Sequence, residues 1–105
     1  MAGWKHDDLF PVIARVIRQL AAERSDFVTR DEIAQAMLAD PEGRGLVEGG
    51  SGRFGDAATA GNMVDWFSAK FRGSEWSDQF ARERSKAVSI ESGETREVWA
   101  YRPRG

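Results

Sequence analysis

The spacing of apolar side chains changes once along this chain, and that change limits the folds open to it. In the first two thirds, apolar residues recur at intervals of three and four, the period of a helix; in the last twenty residues they alternate, the period of a strand. Leu9, Phe10, Ile13, Val16, Ile17 and Leu20 form the clearest helical stripe, with Arg15, Arg18 and Ala22 on the opposite face. The spacing predicts a helix over about residues 8–23. Asp7 and Asp8 suit its positive end, and Pro11 falls in the first turn, where a missing N–H is tolerated.

The segment Phe27-Val28-Thr29-Arg30-Asp31-Glu32-Ile33 opens a second helix, expected over about residues 30–39. Thr29 and Glu32 have capping-box spacing, and Val28 and Ile33 stand as a hydrophobic staple across the cap. Phe27 and Val28 suit a very short strand before it. Asp40-Pro41 signals a turn, and six of the eleven glycines lie between Gly43 and Gly55. A flexible glycine-rich loop is therefore expected over about residues 40–56. Neither Gly43-Arg44-Gly45 nor Gly49-Gly50-Ser51-Gly52-Arg53 is followed by Gly-Lys-Ser/Thr, so a phosphate-cradling nucleotide loop is excluded. Arg44 or Arg53 touching a phosphate is the functional reading left for it.

A third helix is expected at about 57–72, with Ala60, Met63, Val64, Phe67 and Phe71 on its apolar face. Asn62, Asp65, Ala69 and Arg72 lie on the far side, and Trp66 and Lys70 on the flanks. A short fourth helix is expected at about 75–84, pairing Trp76 with Phe80. Ala87-Val88-Ser89-Ile90, a turn at Ser92-Gly93-Glu94-Thr95, and Val98-Trp99-Ala100-Tyr101 read as a hairpin with Val88 and Ile90 inward. Arg102-Pro103-Arg104-Gly105 reads as a frayed basic tail. The expectation is a single α+β domain over residues 1–105, with three to four helices followed by a C-terminal β-hairpin.

Composition removes several function classes. The chain has 105 residues and no cysteine, so disulfide frameworks and thiolate zinc sites are excluded. No apolar run approaches the roughly 20 residues that span a bilayer, and the polar N-terminus is not a signal peptide; a cytoplasmic protein without membrane contact is expected. His6 is the single histidine, beside Asp7 and Asp8. Adjacent residues do not converge on one ion, and no Ser–His–Asp or Cys–His set can be assembled. No metal, cofactor or enzymatic activity is expected. The net charge is −2, but it is unevenly spread: residues 1–43 carry five basic and eight acidic side chains, residues 44–105 ten and nine. The net charge argues against a strongly basic nucleic-acid protein, and the mild basic excess of the second part softens that objection.

The order helix, short strand, helix, helix, hairpin resembles the winged-helix branch of the helix-turn-helix families over about residues 8–102, most sharply at Phe27-Val28-Thr29-Arg30-Asp31-Glu32-Ile33-Ala34. The resemblance implies duplex-DNA binding, as in a transcriptional regulator, with the third helix in the major groove and the hairpin as the wing. Asn62, Asp65, Trp66, Ala69, Lys70 and Arg72 would then face DNA, and Arg96, Arg102 and Arg104 would be wing contacts. Asn reads adenine edges, Arg reads guanine, and basic side chains neutralise phosphate. A second reading is a protein-interaction module, binding another protein or a second copy through Trp66, Trp99 and Tyr101. A third, a small-ligand sensor, requires a cavity lined by Trp66, Phe67 and Trp76.

Overall fold

The computed structural model describes residues 6–24, 26–50 and 55–104. Helix α1 (His6–Arg24) buries Leu9, Ile13, Val16 and Ile17, the stripe expected of it. Strand β1 (Val28–Thr29) leads directly into helix α2 (Arg30–Ala39). The capping box is formed: the Thr29 hydroxyl accepts from the Glu32 amide at 3.2 Å, and the Glu32 carboxylate accepts from the Thr29 amide at 2.8 Å. Arg24 also bonds to Glu32, so the end of α1 is tied to the start of α2.

The expected loop is largely helix. Helix α3 spans Pro41–Gly50. Asp40-Pro41, read above as a turn, does double duty. The Asp40 amide donates to Ala36 and Met37 and closes α2, while its carboxylate accepts from the Gly43 amide at 2.9 Å and opens α3. Proline then takes the first helical position, where its fixed φ and missing N–H carry no penalty. Arg15 donates to both Asp40 oxygens, at 2.8 and 2.9 Å, and so fastens this corner to α1. Helix α3 buries Gly43 and Val47. Gly43 is needed there, because a Cβ would lie 2.8 Å from the Met37 carbonyl oxygen. Residues 51–54, including Arg53, lie outside the described residues.

Helix α4 (Gly55–Ala69) is the expected third helix, but it stops three residues early. Lys70 to Gly73 form a turn, and Gly73 takes φ 78°, a left-handed conformation that releases the chain from the helix. Ser74 caps a single turn, α5 (Glu75–Gln79). The expected continuation of that helix to residue 84 is instead strand. Phe80 is extended (φ −129°, ψ 145°) and begins β2 (Phe80–Val88), which pairs antiparallel with β3 (Thr95–Pro103) from Phe80↔Pro103 to Val88↔Thr95. The hairpin is therefore much longer than the alternating apolar residues suggest. Val88 stands exposed near its far end rather than facing inward, and Ile90 lies in the connecting turn, partly buried. The tail is ordered through Pro103, and the Arg104 amide donates to Gln79 O at 2.9 Å.

Strand β1 pairs with β3 at Val28↔Tyr101 and Thr29↔Ala100, giving a three-stranded sheet of order β1-β3-β2. The fold is α+β, helices followed by a C-terminal hairpin, an arrangement compatible with a winged helix. Phe67 of α4 is the hub of its core. Its ring meets Phe10 at 5.4 Å, Tyr101 at 5.5 Å, and Phe71 and Trp76 at 6.0 Å each. Among the described residues no helix is long and apolar enough to cross a membrane.

The two glycines of α3 should respond oppositely to alanine. Gly45 has open space where a Cβ would go. Gly45→Ala is expected to raise stability by up to about 1 kcal/mol through helix propensity alone. Gly43→Ala gains the same propensity but forces α3 off the α2 backbone, at a cost of about 1–3 kcal/mol, so it should lower stability. Urea unfolding of both variants checks this; equal stabilisation by the two would show that α3 does not pack as described.

Candidate functional site

The outward face of α4 is the first component. Asn62, Asp65, Trp66 and Ala69 are exposed and ring a shallow depression of about 300 Å³. Helical period places them together, one turn apart, while Ala60, Met63, Val64 and Phe67 turn to the core. Lys70 and Arg72 are exposed too, but in the turn after α4 rather than on the helix; Lys70 Nζ lies 6.0 Å from the Trp66 ring.

The second component is a crevice of about 230 Å³ between α4 and the hairpin, bordered by Asp65 and Ser68 on one side and Arg84, Arg96, Glu97 and Trp99 on the other. Asp65 belongs to both depression and crevice, so the face of α4 and the hairpin form one continuous surface. On the hairpin, Arg84 pairs across the strands with Trp99 and Arg82 with Tyr101. Alternation puts Arg82, Arg84 and Lys86 on one side of β2. Both arginines use the indole: Arg82 Cζ lies 3.9 Å and Arg84 Cζ 4.3 Å from the Trp99 ring centre, with Arg82 also 4.7 Å from Phe71. Arg82 donates to the Ser68 carbonyl at 3.1 Å, joining the hairpin to the last turns of α4.

The other arginines expected to act as wing contacts divide. Arg96 reaches the crevice, donating to Ser89 Oγ at 3.1 Å. Arg102 stands over the Phe27 ring at 5.1 Å, and Arg104 Nε donates to Ser77 O at 3.0 Å. Neither borders the crevice.

Beneath the crevice lies an ion cluster centred on a buried arginine. Arg30 is 4% exposed, yet it opens α2, where the helix dipole disfavours a cation. Carboxylates from three segments compensate. Arg30 Nη1 donates to Asp31 at 2.8 Å and to Glu91 at 2.6 Å, Nη2 to Glu91 at 2.9 Å, and Nε and Nη2 to Asp65 at 3.1 Å each. Asp31 Oδ1 also accepts from the Ile90 amide at 3.1 Å, fixing the hairpin turn against α2. Gly61 makes the space, since a Cβ there would lie 2.5 Å from Arg30 Nη2. Hydrogen bonding from Arg30 holds the Glu91 carboxyl at about 2, well below its ordinary 4.5, and the cluster of carboxylates raises the guanidinium in turn.

Sequence reasoning missed Arg30, Arg82 and Arg84. A cation directly after an N-cap is a signal that something must balance it. The spacing Arg82, Arg84, Lys86 is a strand period that the reading of residues 75–84 as helix concealed. The aromatic patch proposed for protein contact is not assembled: Tyr101 is fully buried, its hydroxyl bonded to Ser68, and Trp99 lies partly buried with Arg82 and Arg84 over it. Trp66 alone of the three is exposed, at 44%. Nor do Trp66, Phe67 and Trp76 line a cavity together, because Phe67 is fully buried with Trp76 against it while Trp66 faces outward. Arg44 is engaged by Glu48 and by the Leu38 carbonyl. The side chain of His6 lies outside the described residues. A larger groove, about 730 Å³, runs between α1 and α3, but Asp7, Asp8 and Glu42 rim it, which suits no polyanion.

Comparison with protein-family models, with curated proteins and with solved structures finds no match.

The ion cluster predicts acid sensitivity with a definite sign. Glu91 is depressed in the folded state, and Asp40, held by Arg15, is likewise lowered from 3.8 to about 2. Both contribute stability that is present above their ordinary values and lost as pH falls through about 4.5 toward 2. Melting temperature measured from pH 7 to 2 should fall across that window, and Glu91→Gln should start lower and fall less. An unchanged acid limb in Glu91→Gln would show that the Arg30–Glu91 pair is not made in solution.

Proposed function

We propose that this chain is a winged-helix module that binds duplex DNA, with α4 in the major groove and the hairpin against the adjoining backbone. The observation that carries this reading is the continuity of the α4 face with the arginine-bearing crevice of the hairpin through Asp65. The acid on that face, Asp65, is held by two bonds from Arg30, which lessens its repulsion of a phosphate. Asn62 then stands to read an adenine edge, Ala69 to contact a thymine methyl, and Lys70, Arg72 and Arg96 to neutralise phosphates. The element order and the β1-β3-β2 sheet support the same reading. A chain of net charge −2 with few phosphate contacts binds DNA weakly, on the order of 10⁻⁴ to 10⁻⁶ M without sequence selection.

The protein-interaction reading retains one specific support, the exposed Trp66 in a depression with Ala69. The two separate in a single titration. Fluorescence anisotropy of a labelled mixed-sequence duplex should show saturable binding at low salt that weakens steeply as salt rises. Lys70→Ala, Arg72→Ala and Arg96→Ala should each weaken it and flatten the log–log salt slope by about one. No binding at low salt would end the nucleic-acid reading, because the electrostatic contribution shows there first, and would leave Trp66 as the centre of a protein contact.

A further inference from the structure

The described arginines around the hairpin differ in what their donors meet. Arg30 is shared by three carboxylates, Arg82 donates to the Ser68 carbonyl, and Arg104 donates to the Ser77 carbonyl. Arg84 differs. Trp99 holds its guanidinium at 4.3 Å by attraction between cation and ring, which consumes no N–H donor. Its ion partner is Glu97, at 3.8 Å, beyond hydrogen-bond range. Its side chain is 53% exposed at the mouth of the crevice, and Glu97 is 63% exposed, free to swing away. Arg96 borders the same crevice, its own carboxylate neighbour Glu91 standing 3.7 Å away. On the crevice walls, with Arg30 and Asp65 bonded to each other, Arg84 and Arg96 face Glu97, and Glu91, itself bonded to Arg30, lies behind Arg96.

We infer that this crevice is a phosphate-binding site, in which Arg84, positioned by Trp99, grips a phosphodiester of the nucleic-acid backbone, with Arg96 beside it and Glu97 as its internal competitor. The assignment of the phosphate to a DNA backbone rests on the reading proposed above; the anion site itself rests on the guanidinium geometry. Pre-positioning matters because an arginine already held by a ring loses less side-chain freedom on binding than a free one. A tetrahedral phosphate takes two N–H donors from one guanidinium edge, and the planar fork matches it better than an ammonium would. Arg84→Lys is therefore not an equivalent exchange. Glu97 keeps the site shut against weak anions and yields to a phosphate presented by a duplex already seated on α4.

The test pairs a loss with a gain. Duplex affinity is measured by anisotropy for the wild type, Arg84→Ala, Arg84→Lys and Glu97→Gln. In parallel, inorganic phosphate is titrated into isotope-labelled protein while the Arg84 Nε–H and Trp99 indole signals are followed by NMR. Arg84→Ala should weaken duplex binding and lower the salt slope by about 0.9, the share of one phosphate. Arg84→Lys should recover only part of the affinity. Glu97→Gln should tighten binding about two- to fivefold, as expected for releasing an exposed ion pair; a misfolded variant cannot produce that gain. If the wild type binds duplex but neither Arg84→Ala nor Glu97→Gln changes the affinity, this inference is overturned and the DNA reading stands. If duplex binding is absent but phosphate shifts both signals, more so in Glu97→Gln, the anion site stands and its ligand is a smaller phosphate. Absence of both overturns both.

Discussion

A buried arginine at the wrong end of a helix organises this molecule. Taking one guanidinium and its partners out of water costs several kcal/mol per ion, and the helix dipole at the start of α2 adds to that cost. Arg30 is tolerated there because Asp31, Asp65 and Glu91 converge on it from α2, α4 and the hairpin turn. The same convergence makes it indispensable. Removing Asp31, the carboxylate buried with it, leaves an uncompensated buried charge, a loss of about 3–5 kcal/mol against a total stability of about 5–15 kcal/mol. The cluster therefore sets the relative position of the three segments that bound the crevice.

A second, apolar tie runs parallel to it. Phe67 gathers rings from α1, the α4–α5 turn, α5 and β3, and the Ser68–Tyr101 bond beside it joins α4 to the middle of the sheet. From there the aromatic chemistry continues outward: Phe71 meets Arg82, Arg82 meets Trp99, and Trp99 meets Arg84. Core packing thus extends without a break into the surface charges of the hairpin. The hairpin is anchored by ions at its turn and by rings along its strands, which is why it can hold a fixed pose beside α4 instead of swinging.

What could be read from sequence follows from how far apart the determinants lie. The α1 stripe, the capping box at Thr29 and Glu32, and the two faces of α4 depend on neighbours within a turn, and each is found where the spacing places it. Helix α3 escaped notice because four of its ten residues are glycines, which argue against a helix locally; Asp40, Pro41 and the contact with α2 outweigh that. Strand β2 escaped because Arg82, Glu83, Arg84 and Lys86 carry no apolar alternation, and pairing with β3 decides their conformation. The outward residues of α4 were legible from helical period alone. The ion cluster was not, because Asp65 and Glu91 lie far along the chain from Arg30 and only the fold brings them together.

The sheet order carries a consequence for how the molecule comes to be folded. Strand β3 is central, lying between β1 and β2, yet it follows both of them in the chain. Until Thr95–Pro103 leaves the ribosome, Val28 has no strand to pair with and Phe67 lacks the Tyr101 ring, so the helices emerge as an assembly open along one side. Contacts between segments far apart along a chain are slow to close, and surfaces waiting for them are exposed to other chains meanwhile. Closure here waits for the third strand of the sheet, and the nascent domain depends on that strand to become a cooperative unit.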